Sequence, residues 1–105
     1  MTKLYFHPEV ELEISESFRW YEAIAQGLGD DFISELDSAY DAIVNLAVIW
    51  PIFKKGFRRY ILTRFPFAVI YKQLGDEIYV VAVMHQSRKP NYWSNRVISN
   101  NKSQI

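Results

Sequence analysis

The main change in the period of the hydrophobic pattern along this chain occurs at Pro51. Before Pro51, apolar residues recur every three or four positions, which is typical of amphipathic helices. After it, β-branched and aromatic residues follow one another in short runs, which is typical of strands. The opening KLYFH also alternates like a short strand, and Pro8 suits the first position of a helix. The sequence therefore predicts one strand, a helical region and then a group of strands.

Two helices are predicted before Pro51, joined as a hairpin. The first runs from Glu9 to about Ala25, and its apolar face consists of Val10, Ile14, Phe18, Tyr21 and Ala25. The segment QGLGDD supplies two glycines that end this helix, and Asp30 is expected to cap the second. The second apolar face consists of Phe32, Leu36, Ala39, Tyr40, Ile43 and Leu46. We also expect Trp20 and Tyr21 to lie in the core.

Three strands are predicted after Pro51, in the runs FRRYILTRF, FAVIYKQL and EIYVVAVMHQ. Gly75 and Asp76 separate the last two as a hairpin turn. The order is β-α-α-β-β-β, which predicts an α+β fold with the helical hairpin packed on one face of a mostly antiparallel four-stranded sheet. We expect a single domain over residues 1–98 and a loose C-terminal tail over residues 99–105.

The composition excludes several classes of protein. Half of the 105 residues are hydrophobic, which argues for a globular protein and against disorder. There is no cysteine, so the chain has neither a disulfide nor a thiolate metal site. No apolar run reaches the ~20 residues needed to span a bilayer. We therefore expect a soluble, cytoplasmic protein with no membrane partner, no metal and no other cofactor.

The net charge of zero conceals a strong asymmetry along the chain. Residues 1–48 carry two cations and ten carboxylates, whereas residues 49–105 carry ten cations and two carboxylates. Because the acid lies on the predicted helices and the base on the predicted sheet, the sheet side is expected to be cationic and to bind an anionic partner. The alternative is that the two solvated faces attract each other.

Several residues are candidates for chemistry or binding. His85, at the end of the last strand, suits a general acid or base, or a structural hydrogen bond. His7, before the first helix, is expected to be a local capping or packing residue. Five cations fall within eleven residues, and they either bind phosphates or protect an edge strand: Lys54, Lys55, Arg58, Arg59 and Arg64. The last three are expected on one strand, with Arg59 on the opposite face from the other two.

The aromatic pair after Pro90 has two interpretations. Tyr92 and Trp93 stack on nucleic-acid bases, or they fold back as a lid over one end of the core, which we favour. The sequence contains no Gly-rich phosphate loop, HExxH zinc motif or G-x-S-x-G nucleophile elbow.

Three stretches, together with the proline before the second of them, resemble a known family: FRWYEAIAQGLGDDFISELDSAYDAIVNL, RRYILTRFPFAVIYK and VVAVMHQSRKPNYWSNR. Over roughly residues 4 to 96 the chain resembles the RelE/ParE superfamily, the toxins of type II toxin–antitoxin pairs often labelled plasmid stabilisation proteins. The family fold is the same β-α-α-β-β-β. The FPF turn and the P-x-Y-W exit look closer to the ParE-like branch.

The resemblance implies two different activities. A ParE-like member arrests growth by inhibiting DNA gyrase and is not known as a nuclease. A RelE-like member is a ribosome-dependent mRNA endoribonuclease, for which the catalytic candidates are His85, Arg58, Arg59, Arg88 and Tyr92. Whether the protein is an enzyme stays open at this point, and a non-toxic nucleic-acid-binding module is a third hypothesis.

The resemblance also implies partners. The target, gyrase or the ribosome with its mRNA, is expected to contact Lys54, Lys55, Arg58, Arg59, Arg64, Arg88, Lys89 and Trp93. A cognate antitoxin is expected to cover Leu4, Phe6 and neighbouring groove residues, so exposed apolar surface on the lone chain would indicate its site. A dimer or a toxin–antitoxin hetero-oligomer is plausible.

Overall fold

The computed structural model describes residues 2–96 as a helical hairpin packed on one face of a five-stranded sheet. The helices are α1 (Pro8–Ile24) and α2 (Leu28–Leu46), and the strands are β1 (Lys3–Phe6), β2 (Ile52–Lys54), β3 (Phe57–Ile61), β4 (Phe67–Leu74) and β5 (Glu77–His85). Two short 3-10 helices, Ala47–Ile49 and Tyr92–Asn95, follow α2 and β5. The strand order is β1-β5-β4-β3-β2, with β1 parallel to β5 and the other pairs antiparallel. The predicted α+β class and element order are confirmed.

The sheet has one strand more than predicted. The additional strand, β2, is three residues long and forms a hairpin with β3 through Lys55 and Gly56. Both turn residues have positive φ angles, 50° and 84°, as a two-residue turn of type I′ requires. A three-residue strand directly after a proline carries too little periodicity to be recognised in the sequence.

The strand predicted to continue through Arg64 ends earlier, at Ile61. Thr63 and Arg64 lie in the loop that follows, where their backbone amides donate to the carboxylate of Glu35 on α2, at 2.6 and 3.1 Å. The prediction that Arg64 shares a strand with Arg58 and Arg59 is therefore wrong, because α2 supplies the hydrogen-bond acceptor that a neighbouring strand would otherwise provide.

The helix ends follow local hydrogen bonding. The Glu9 amide donates to Nδ1 of His7 at 3.1 Å, which confirms His7 as the cap of α1. Helix α2 begins at Leu28, after Gly27 with φ 88°, so Asp30 lies in its first turn and the prediction that it caps the helix is wrong. The two helices are in close contact at Gly29, where a Cβ would lie 2.7 Å from the Phe18 ring and where the amide donates to the carboxylate of Glu22 at 2.8 Å.

The core has two parts, one on each side of the sheet. On the helix side, the apolar face of α2 packs against β4 and β5. There the hydroxyl of Tyr71 donates to the carbonyl of Ala47 at 2.6 Å, and burial raises the pKa of Tyr71 to about 12. On the far side, the indole of Trp93 covers Ile70 and Ala82 and is 2% exposed. The lid interpretation of the C-terminal aromatic pair is thus confirmed for Trp93.

Trp20 is the largest disagreement between sequence and structure in the helices. It was expected in the core, but its side chain is 67% exposed, while the adjacent Tyr21 is half-buried against Phe32 and Phe65. Successive helical residues are rotated by about 100°, so only one of two neighbours can face the sheet. Tyr21 belongs to the inward stripe and Trp20 does not.

None of the helices within residues 2–96 is both long enough and apolar enough to cross a membrane. The domain boundary predicted at residue 98 and the tail predicted over residues 99–105 lie outside the described residues.

Candidate functional site

A cleft of about 410 Å³ lies between α1 and the end of β5. One wall comes from α1, with Glu16 and Trp20, and the other from the β5 exit, with His85 and Arg88. Tyr21, Phe67 and Val83 also line it. The cleft therefore places an exposed indole, carboxylates, an imidazole and a guanidinium close to one another.

His85 is held by local contacts. Its ring packs edge-on against Phe67, with 5.0 Å between ring centroids, directly across the β4–β5 ladder. Its Nδ1 accepts a hydrogen bond from the Ser87 amide at 3.0 Å and lies 2.8 Å from the Ser87 hydroxyl. These contacts leave Nε2 as the ring nitrogen for any external partner of His85.

Glu13 lies at the centre of a buried polar network beside this cleft. Its Oε1 accepts from the Val83 amide at 2.9 Å, and its Oε2 accepts from the hydroxyl of Tyr92 at 2.5 Å and from Arg96 at 2.8 Å. The Arg96 guanidinium also donates to the carbonyl of Val81 at 2.7 Å. Both charged side chains are largely buried, at 10% exposure for Glu13 and 14% for Arg96.

This network supplies hydrogen-bond partners to backbone groups along one edge of β5. Strand β1 pairs only with the first part of β5, from Glu77 to Val80, so the later β5 backbone groups have no partner from β1. Glu13 and Arg96 supply an acceptor for the Val83 amide and a donor for the Val81 carbonyl. Buried backbone groups need such partners, so the network fixes α1 and the C-terminal segment to β5.

Tyr92 is part of the same network. Burial and the hydrogen bond to Glu13 raise the pKa of Tyr92 well above its ordinary value, despite the opposing effect of the nearby arginines. The guanidinium of Arg88 lies over the Tyr92 ring, 4.0 Å from its centroid, and is otherwise exposed. The Tyr92 hydroxyl is therefore engaged in structure, whereas Arg88 is oriented towards solvent on an aromatic platform.

The cations of β2 and β3 lie on different sides of the sheet. Arg58 faces the helix side and donates to the carbonyls of Val48 and Trp50, at 3.2 and 2.6 Å. Arg59 faces the far side, where its guanidinium lies 4.8 Å from the centre of the Phe53 ring. Arg58 thus holds the chain that follows α2, while Arg59 stays exposed.

The five nuclease candidates do not converge. His85 pairs with Phe67 on one side of β4, and Arg58 pairs with Tyr71 on the other side. Standard strand rise and spacing then place the Cα atoms of His85 and Arg58 about 16 Å apart. Arg59 lies on the opposite face from Arg58, and the Tyr92 hydroxyl is bound to Glu13. Of the five, His85 and Arg88 line a common cleft, and the ring of Tyr92 lies beneath the Arg88 guanidinium.

The candidate target-binding residues form two groups rather than one cationic face. Lys54, Lys55 and Arg59 lie at the β2–β3 hairpin, whereas Arg88 and Lys89 lie at the β5 exit. Arg64 lies in the loop after β3 and forms an exposed ion pair with Asp31 at 3.5 Å. Arg58 is committed to backbone carbonyls, and the buried indole of Trp93 offers no surface to a partner in this structure.

A second and larger groove, of about 670 Å³, lies on the other side of α1, between α1 and α2. It is mainly apolar and is lined by Phe6, Val10, Ile14, Phe18, Ile33 and Tyr40, with Glu11, Ser15 and Arg19 also contributing. Phe6 is 40% exposed there. The Tyr40 hydroxyl is buried and has no hydrogen-bond partner among residues 2–96, and burial together with Asp37 raises its pKa.

The sequence did not single out Glu13, which is one of ten carboxylates before Val48 and belongs to no motif. Its role depends on where β1 ends against β5, and only the folded structure shows that. In the part of the chain that the structure describes, no group of three or more His, Asp and Glu side chains is placed to hold a metal ion.

A helical hairpin packed on one face of a mixed sheet, in which the first strand runs parallel to the last, defines the class: a small α+β domain. A chain from a solved structure described as "Chromosomal ParDE TA system from P. aeruginosa" matches it with a TM-score of 0.71 and 17% sequence identity. The match covers 81% of this chain and 96% of that chain, and at this identity it establishes the fold alone. No protein-family model and no curated protein matches the sequence.

Proposed function

We propose that this protein is the toxin of a type II toxin–antitoxin pair and that it arrests growth by inhibiting DNA gyrase. The observation that carries this proposal is the fold, which the chain shares with a component of a ParDE system over nearly the whole of that component. The P-x-Y-W exit, which resembles the ParE-like branch, is the segment that covers the far side of the sheet through Trp93.

The placement of the catalytic candidates favours gyrase over mRNA as the target. General acid–base cleavage needs its groups within hydrogen-bond reach of one substrate. Here Arg58 and Tyr92 are committed to structural acceptors, and Arg59 lies on the other face of the sheet. The exposed cations Arg88 and Lys89, beside the cleft, then serve to dock the target rather than to cleave RNA.

The apolar groove between α1 and α2 suits the antitoxin. Phe6 was expected to be covered by an antitoxin, and it lies exposed at this groove. Its apolar lining, with Glu11 and Arg19 as charged members, fits the apolar face of an amphipathic segment.

Expression in a bacterium tests the proposal directly. We expect growth arrest that is relieved by co-expression of the small protein encoded next to this one. RNA 5′ ends should be unchanged within minutes of induction, and the purified protein should inhibit supercoiling by gyrase. New 5′ ends inside translated codons would instead establish the RelE-like nuclease, and normal growth with salt-sensitive nucleic-acid binding would establish the non-toxic binding module.

Variants sharpen the test. Arg88→Glu should weaken gyrase inhibition at least about tenfold, because it reverses an exposed charge at the proposed docking surface. Lys3→Glu reverses an equally exposed charge on β1 and should leave inhibition unchanged. His85→Gln should also leave growth arrest intact, and loss of toxicity in that variant would contradict the gyrase proposal.

A further inference from the structure

One row of side chains along α1 is exposed and largely apolar. Leu12, Glu16, Trp20 and Ile24 are spaced by four residues, so they are neighbours on the helix surface. The three apolar members, Leu12, Trp20 and Ile24, are 50%, 67% and 59% exposed, and Glu16 is exposed as well. We call these four residues the α1 row. Large apolar side chains that follow one another on a surface are typical of a site that another protein covers.

The α1 row is separate from the apolar groove proposed for the antitoxin. That groove is lined from α1 by Val10, Ile14 and Phe18. Successive helical residues are rotated by about 100°, so the α1 row points to a different side of the helix from these three. A partner that fills the groove would therefore not cover Trp20.

The surface around Trp20 carries charges of both signs. Glu16 lines the cleft from α1, and Arg88 lines it from the β5 exit. Among residues 2–96, neither of these two side chains takes part in an ion pair. A surface that presents a free carboxylate and a free guanidinium on either side of an exposed indole is complementary to a second copy of itself.

We propose that two copies of this chain associate through the α1 row, with their α1 helices antiparallel about a two-fold axis. An antiparallel pair centred between Glu16 and Trp20 places Leu12 of one copy against Ile24 of the other and brings the two indoles together. Glu16 then lies beside the second copy's cleft, which Arg88 lines. This inference does not depend on gyrase inhibition or on toxicity, because it rests only on the surface of α1 and the β5 exit.

Other occupants fit this surface less well. Nucleic acid would be repelled, because α1 carries one cation, Arg19, and five carboxylates: Glu9, Glu11, Glu13, Glu16 and Glu22. A strongly acidic or strongly basic protein would meet either Glu16 or Arg88 as a like charge. A second copy instead presents each of these charges to its opposite.

The size of this surface predicts weak association. Stable interfaces bury about 800 Å² on each partner, and one row of a single helix with the rim of a cleft supplies less. Sedimentation equilibrium of the full chain should therefore show a monomer at micromolar concentration and a growing fraction of dimer towards millimolar concentration. NMR spectra over the same range should show a shift of the Trp20 indole N–H. A protein that stays monomeric at millimolar concentration would overturn the proposal.

Charge reversal tests the contact between the copies. Glu16→Arg and Arg88→Glu should each weaken association at least about tenfold, because the two-fold axis repeats each change and turns two attractions into repulsions. An equimolar mixture of the two variants should associate about as tightly as the wild type, because every reversed charge again faces an opposite one. Mixing cannot restore an effect that is confined to one chain. A mixture that associates no better than either variant alone would contradict the proposed contact.

Two isoleucines of matched exposure locate the interface. Ile24→Lys places a charge in the α1 row and should weaken association at least about tenfold. Ile49→Lys makes the same change at a side chain that is 60% exposed, in the segment before β2, and should have no effect. Circular dichroism checks that both variants remain folded. Dissociation by Ile49→Lys and not by Ile24→Lys would place the interface elsewhere and overturn the proposal.

Discussion

Glu13→Gln tests whether the buried network beside β5 holds the C-terminal segment in place. The carboxylate of Glu13 accepts three hydrogen bonds, from Val83, Tyr92 and Arg96. The glutamine amide retains one oxygen, but its NH2 group places a donor against at least one of these donors. The substitution thus removes a charge and leaves at least one buried donor without an acceptor.

The expected cost follows from burial. Removing one partner of a fully buried ion pair costs about 3–5 kcal/mol, because the remaining charge is left uncompensated. Glu13 and Arg96 are not fully buried, with 10% and 14% exposure. In the variant, the Arg96 guanidinium keeps its hydrogen bond to the Val81 carbonyl and some contact with water, so its charge is partly compensated. We therefore expect Glu13→Gln to lower the free energy of unfolding by about 2–3 kcal/mol. For a domain of this size, that is a fall in Tm of roughly 10–15 °C.

Urea unfolding at neutral pH measures this change, and a double-mutant cycle with Arg96→Leu measures the coupling. The double variant should be more stable than the sum of the single effects predicts, by at least about 1 kcal/mol. Glu16→Gln, an exposed carboxylate on the same helix, should change stability by less than about 0.5 kcal/mol. A Glu13→Gln protein as stable as the Glu16→Gln control, or additive effects of the two single changes, would refute the assignment.

Three further predictions concern helix ends and helix contact. Burial and Arg96 lower the pKa of His7 below 6.5 despite the two nearby carboxylates, so the free energy of unfolding should fall as the pH drops below 6.5. His7→Asn keeps a capping side chain but does not titrate, so urea unfolding of this variant should show a weaker dependence of stability on pH below 6.5. Although burial raises it, the pKa of Glu35 is lowered overall by hydrogen bonds from the loop after β3. Glu35→Gln should therefore lose about 1 kcal/mol at neutral pH, and the difference from wild type should disappear as pH falls below 4.5 through the folded-state pKa. A Cβ at Gly29 would lie 2.7 Å from the Phe18 ring, so Gly29→Ala should destabilise by about 1 kcal/mol in thermal melts, whereas Ser38→Ala on the exposed face of α2 should not.

The sequence predicted the elements because their periodicity is strong. Long amphipathic patterns located both helices, and the Gly75 turn located the β4–β5 hairpin, where the structure has φ 61°. It failed where a tertiary contact decides the local structure. The strand ends at Ile61 because Glu35 takes the next amides, and β2 forms because Lys55 and Gly56 turn back onto β3.

The candidate site was predictable in composition but not in arrangement. His85 and Arg88 do share a cleft, as their spacing suggested, but Arg58 and Arg59 are separated by the pleat of one strand. Trp20 was assigned to the core together with its neighbour Tyr21, yet it lines the cleft with most of its surface exposed. No local pattern distinguishes an inward from an outward aromatic when both are adjacent on a helix.

Few ion pairs between the helices and the rest of the chain neutralise the charge asymmetry of the sequence. If the acidic helices and the basic sheet were held together by mutual attraction, many ion pairs would join them. Among residues 2–96 the side-chain pairs within 4.0 Å are Glu13 with Arg96 and Arg64 with Asp31, and the second of these is exposed. Exposed pairs contribute little to stability, so most charges of both signs remain available for binding. The acidic helices border the apolar groove proposed for the antitoxin, whereas the exposed cations lie in two groups, at the β2–β3 hairpin and at the β5 exit. Since none of these cations lines the groove, a partner bound there would leave them exposed.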